Sequence, residues 1–207
     1  MKKILVVLAA FLFLSIGLRA QVRLGLTGGY AIPSDSNYKG GPAFGLLAGF
    51  GLGENFAVEI SVGNFKGDVL ATEAGLSAGS LSRMPIELSL QLRFPLGNKK
   101  VVPYIFGGGG YSLNSFTLDS AATAPWTALG ITLAETLDAA AVFHGGAGLD
   151  FFVTDKLALN VNVKYLISKA SGTWTQTDDG SNAVASGTLS DLSLNTLSIN
   201  FGLKYSF

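Results

Sequence analysis

Cysteine is absent from the 207 residues. Its absence excludes a disulfide framework, a thiolate metal site and a lipid-modified N-terminal cysteine. Histidine occurs once, and charged residues make up 14% of the chain, where soluble domains carry about 25%. With 48% hydrophobic residues the chain is nevertheless no disordered segment. Long apolar runs are missing too, apart from Ile4 to Leu14, which follows Lys2 and Lys3 and precedes small residues ending at Ala20. That run is too short and too N-terminal for a spanning helix. Residues 1–20 are therefore expected to be a cleaved signal peptide, and residues 21–207 a single exported domain. Without Lys2, Lys3 and Arg19 the balance is 11 basic residues against 14 acidic, which argues against a nucleic-acid partner.

What is present is alternation with a period of two, the mark of strands with two unlike faces. Leu197, Ile199, Phe201, Leu203, Tyr205 and Phe207 alternate with Thr196, Ser198, Asn200, Gly202, Lys204 and Ser206. Residues 157–168 and 84–94 repeat the arrangement, and weaker versions occupy residues 22–31, 43–52, 56–65 and 141–153. Gly107 to Gly110 blur the phase of an eighth segment, 102–113, whose two faces stay unassigned.

Short connections at 51–55, 95–100 and 154–156 alternate with polar segments at about 32–41, 66–83, 114–140 and 169–193. Short turns at one end and long loops at the other form the layout of a closed eight-stranded antiparallel transmembrane β-barrel, with periplasmic turns and extracellular loops. Asp179-Gly180 is a plausible hairpin tip in the last loop. In the third, Trp126, Leu129, Leu133 and Leu137 fit a helical face while residues 131–138 also alternate.

A soluble eight-stranded barrel has the same strand count but an apolar interior. Three features favour the membrane. Aromatic residues sit at strand ends, with Phe56, Phe94, Phe151, Tyr205 and Phe207 near the turns and Tyr30, Phe44 and Tyr165 near the loops; bilayer interfaces sort rings in this way. The polar faces are rich in Gly, Ser and Asn, which suit a narrow lumen. Closure also removes the edges that apolar strands would otherwise expose.

On this reading Arg23, Arg93, Lys164 and Lys204 face inward with Glu59, Glu87 and Asp150, because a cation facing mid-bilayer lipid costs about 2–4 kcal/mol. All seven are expected to join a lumen charge network, in which Arg23, Arg93, Asp150, Lys204 and Glu59 lie in the turn-side half and block the lumen there. Leu47, Phe65, Leu166 and His144 lie nearer the loops, where they either form an apolar pocket, with Trp126 and Leu129 added from the third loop, or fill space by packing.

The C-terminal residues Asn200, Gly202, Tyr205 and Phe207 match the terminal signal of outer-membrane barrels, and that resemblance implies insertion by the barrel-assembly machinery. Residues 103–111, Pro-Tyr-Ile-Phe-Gly-Gly-Gly-Gly-Tyr, and residues 146–165 resemble the small OmpW-like and OmpA/OmpX-like barrels. The resemblance implies a narrow barrel for passage or binding of small hydrophobic compounds, or a structural membrane protein, in the bacterial outer membrane. It covers the second half of the chain best and extends to no peptidoglycan-binding domain.

Two other classes compete. A surface adhesion or receptor barrel would act through its loops, with Trp126 and Trp174 as exposed aromatics. A lipid-modifying enzyme needs a nucleophile beside a base, yet His144 is the only histidine and no Gly-x-Ser-x-Gly elbow occurs. The acidic residues lack ligand spacing, and Gly107 to Gly110 lack the Lys-Ser/Thr of a phosphate loop. No catalytic residue, metal or cofactor is expected. The expected surroundings are outer-membrane lipid, around a monomer that takes a small hydrophobic ligand.

Overall fold

The computed structural model describes residues 21–70, 78–97 and 100–207, so the signal peptide expected at residues 1–20 lies outside the described residues. The described residues form ten strands: β1 Val22–Pro33, β2 Gly41–Gly51, β3 Phe56–Val69, β4 Gly79–Arg93, β5 Val101–Leu118, β6 Ile131–Leu137, β7 Ala140–Phe152, β8 Leu157–Asp178, β9 Val184–Ser193 and β10 Thr196–Ser206. Among the described residues one helix, α1, spans Ser120–Thr127, and the Asp119 side chain accepts from the N–H of Ala121 at its start. Of the helical face expected in the third loop only Trp126 lies in α1; Leu133 and Leu137 lie in strand β6, so the alternation at 131–138 is what the structure bears out there.

Eight of the strands close a barrel in the order β1-β2-β3-β4-β5-β7-β8-β10, all neighbours antiparallel. The seam joins β10 to β1 from Arg23↔Ser206 to Pro33↔Thr196. Closure gives the barrel's backbone N–H and C=O groups strand partners, a condition for crossing hydrocarbon. Outward side chains include Leu26, Phe44, Phe143 and Phe201, each at least 60% exposed. The aromatic rings sorted by height from the sequence are all exposed on this outer face.

The segments read as long loops are in large part strand. β8 runs for 22 residues, whereas a tilted span needs about 9–11. Its outer half pairs with β6 on one side and β9 on the other. These two lie along the same edges of β8 as β7 and β10, so the wall continues beyond the barrel as a three-stranded fin. At the tip the Asp178 carboxylate accepts the N–H groups of Gly180 and Ser181. These bonds stabilise the carboxylate and hold its pKa below the usual carboxylate range.

The loop end is closed by an apolar cap of Tyr38, Val69, Leu81, Leu137, Ala140, Ala170, Leu189, Leu192 and Leu194. Burial there and the nearby Asp35 push the Tyr38 phenol up to about 12. Trp174, expected to be exposed, packs against this cap instead. Trp126 and Leu129 are exposed and supply nothing to the interior; Asp138 follows β6 immediately and holds the Ser171 carbonyl.

Candidate functional site

Inside the barrel three layers follow one another from the turns to the loops. At the turn side, the Asp150 carboxylate lies 3.1 Å from Arg93 and 3.4 Å from Lys204. Lys204 also reaches Glu59 at 3.4 Å, and Gln91 donates to the same carboxylate. Asn160 donates to Asp150 and to the hydroxyl of Tyr104, over whose ring the Lys204 ammonium sits at 4.9 Å. Arg93, Lys204, Asp150, Gln91 and Asn160 are all buried. Their low-dielectric setting makes a fully partnered network rigid and a broken one costly. Arg23 stands apart: it lines the turn-side mouth with Arg93 and Val102, and its buried Nε has no hydrogen-bond partner.

The middle layer centres on Glu87, which pairs with Lys164 and lies 3.1 Å from His144 Nδ1. The other imidazole nitrogen, Nε2, is 2.8 Å from Ser89 Oγ. His144 therefore leaves the apolar pocket expected for it and joins a polar relay. Its reach has a local cause. Gly108 and Gly110 face inward on β5, between His144 on β7 and Ser89 and Glu87 on β4. A Cβ at Gly108 would also run into the Leu88 carbonyl, and one at Gly110 into that of Ile86. The glycines thus allow both a tightly curved wall and a passage for side chains across β5.

The same register settles the phase left open at 102–113. Val102, Tyr104, Phe106 and Ser112 point inward, while Ile105, Tyr111 and Leu113 are exposed. Gly148 lies under the Tyr104 ring and Gly146 under that of Phe106; glycine on β7 therefore accommodates rings in the lumen.

The third layer lies beneath the cap. A cavity of about 60 Å³ is lined by Phe65, Leu166, Pro85, Ala31, Ala43, Arg83 and the polar groups of Thr196, Ser198 and Asn200. Phe65 and Leu166 thus come together as candidate pocket residues. Leu47 does not join them, since it borders a separate cavity of about 50 Å³ with Phe106, Ser89 and Asn162. Sequence reasoning missed Arg83, which lies at the end of a segment read as a loop; it faces inward and is 3% exposed.

The relay from Ser89 through His144 to Glu87 has the spacing of a nucleophile, a base and an orienting acid. Acyl transfer also needs donors aimed at a developing oxyanion. The nearby candidates are engaged elsewhere: Gln91 with Glu59, Asn162 with Asn160, Asn200 with Asn162, and Lys164 with Glu87. Among the described residues no group of three His, Asp or Glu side chains is placed to hold a metal ion. Of the terminal signal, Asn200 and Gly202 face inward, while Tyr205 and Phe207 are exposed with rings 5.0 Å apart, edge to face.

Comparison with known proteins agrees with this geometry. The family model described as outer membrane protein beta-barrel domain matches residues 6–207. Among solved structures, the outer membrane protein OprG from Pseudomonas aeruginosa is similar with a TM-score of 0.67 at 19% identity, covering 91% of this chain and 97% of that one. Neisserial surface protein A gives 0.55 at 14%, covering 91% and 97%. The Escherichia coli outer membrane protein W gives 0.52 at 18%, covering 91% and 98%. No curated protein is matched by sequence.

Proposed function

The chain belongs to the outer membrane protein beta-barrel domain family and resides in the bacterial outer membrane, and on that premise we propose that it is a closed, non-enzymatic barrel that binds a small, largely apolar compound beneath its extracellular cap. The observation that carries this reading is the partly enclosed cavity lined by Phe65 and Leu166. The apolar cap lies on its extracellular side and the buried charge layer on its periplasmic side. An open pore would need neither closure. The binding reading takes outer-membrane lipid as the barrel's surroundings and a monomer as its state. Its assembly runs through the barrel-assembly machinery, which reads Asn200, Gly202, Tyr205 and Phe207.

The test is titration of 1-butanol into the refolded barrel, followed by solvent-suppressed NMR. Saturable shifts at Ala31 and Ala43 are expected, and Leu166→Trp, which fills the cavity, should remove them. Shifts that never saturate, or that persist in the tryptophan variant, would contradict the reading. The non-enzymatic part rests on the engaged donors around Ser89. Covalent labelling of Ser89 by a fluorophosphonate probe would overturn it.

A second reading, an adhesion or receptor role, is favoured by the fin of β6, β8 and β9 that extends the wall outside the membrane.

A further inference from the structure

The cavity beneath the cap contains a charged group that an apolar ligand does not explain. Arg83 is almost wholly buried and lines that cavity. Its Nη1 donates to the Leu194 carbonyl at 2.5 Å and to Thr196 Oγ1 at 3.0 Å. Its Nε and Nη2 are buried and have no hydrogen-bond partner among the described residues. Those two atoms form one edge of the guanidinium plane, the edge whose parallel N–H groups match the two oxygens of a carboxylate.

Charge counting points the same way. The inward cations of the barrel are Arg23, Arg83, Arg93, Lys164 and Lys204, against Glu59, Glu87 and Asp150. Glu87, the inward acid nearest to Arg83 along β4, is already held by Lys164 and His144. Arg83 takes part in none of the ion pairs formed among the described residues. A buried, unpaired cation with an open fork calls for an anion.

We infer that the cavity beneath the cap is a binding site for a short aliphatic monocarboxylate, its carboxylate on the Nε and Nη2 edge of Arg83 and its chain against Phe65 and Leu166. The inference deepens the cavity reading above and rests on it. Size sets the class. A cavity of about 60 Å³, at roughly 10–15 Å³ per water-sized centre, holds about four to six non-hydrogen atoms, the range of acetate to butyrate. Phe65, Leu166, Pro85, Ala31 and Ala43 supply apolar lining for an aliphatic chain, beside the polar groups of Arg83, Lys164, Thr196, Ser198 and Asn200. Leu194, whose carbonyl Arg83 holds, belongs to the cap, so the ligand would sit directly below the closure on the extracellular side.

The test uses the refolded full barrel in micelles at constant ionic strength and pH 7, titrated with sodium propionate, propionamide and inorganic phosphate and followed by NMR of the ligand and of the barrel. Propionate is expected to bind saturably, at least tenfold more tightly than propionamide or phosphate. Arg83→Lys keeps the charge but loses the fork, and should weaken propionate at least tenfold while leaving the gel mobility shift on heating unchanged. Should that variant fail to fold, Leu166→Trp, which leaves Arg83 in place and fills the cavity, must abolish propionate binding. Equal affinity for propionate and propionamide, or propionate binding unaffected by the variants, would overturn the inference. Saturable 1-butanol binding without a propionate preference would overturn the carboxylate assignment alone, whereas binding of neither would overturn the cavity reading as well.

Discussion

At the scale of single residues, the lumen is organised by a few acids that each hold two cationic or ring partners. Asp150 is shared by Arg93 and Lys204, and Glu87 by Lys164 and His144. Removing one member of a buried pair leaves its partner's charge uncompensated, which costs about 3–5 kcal/mol. Asp150→Asn should fall near about 3 kcal/mol, the lower end of that range, because Lys204 keeps Glu59 as a partner. Urea unfolding of the refolded barrel measures this, and an unchanged midpoint would contradict the role given to Asp150. The inward direction of these residues was legible because lipid forbids the opposite phase. Their pairing was not, since Asp150 meets Arg93 and Lys204 from other strands and His144 meets Glu87 across β5. Arg83 was missed because the short polar residues around it, Ser80 and Ser82, carry no apolar alternation.

Among the elements, legibility followed the surroundings of each strand. β10, the inner half of β8 and most of β4 must show an apolar face to lipid and a polar one to the lumen, so their alternation is strict. β9 and the outer half of β8 meet water, where no outward apolar face is required, and their sequences read as loop; β6 alternates, but its leucines also fit a helical face. The β5 segment resisted assignment for another reason: Tyr104 and Phe106 turn their rings into the lumen above Gly148 and Gly146, so rings and small residues occur on both faces. Beyond Lys169, β8 pairs only with β6 and β9, whereas its contacts with β7 and β10 lie between Leu157 and Ser168. Deleting residues 171–186 should therefore remove the fin and leave the barrel able to fold, read as a retained mobility shift between unheated and boiled samples. Loss of that shift would show that the fin is needed for closure. Loss of adhesion to host cells or matrix with the shift retained would favour the receptor reading over ligand binding.

For the whole molecule, low charge, abundant glycine and scattered apolar residues have one physical source. The outer surface faces lipid, the inner surface is narrow, and neither tolerates solvated ions without partners. Most charges lie in the turns and loops, and those carried by the barrel wall turn into the lumen, where they interlock below an apolar cap. On the reading proposed above, a barrel built this way is sealed at both ends and its remaining internal space holds a small compound. Recording from the purified, refolded barrel in a planar lipid bilayer tests this most directly. In 1 M KCl, no large and steady open level is expected, whereas a stable, ohmic conductance in the unmodified protein would contradict a sealed lumen.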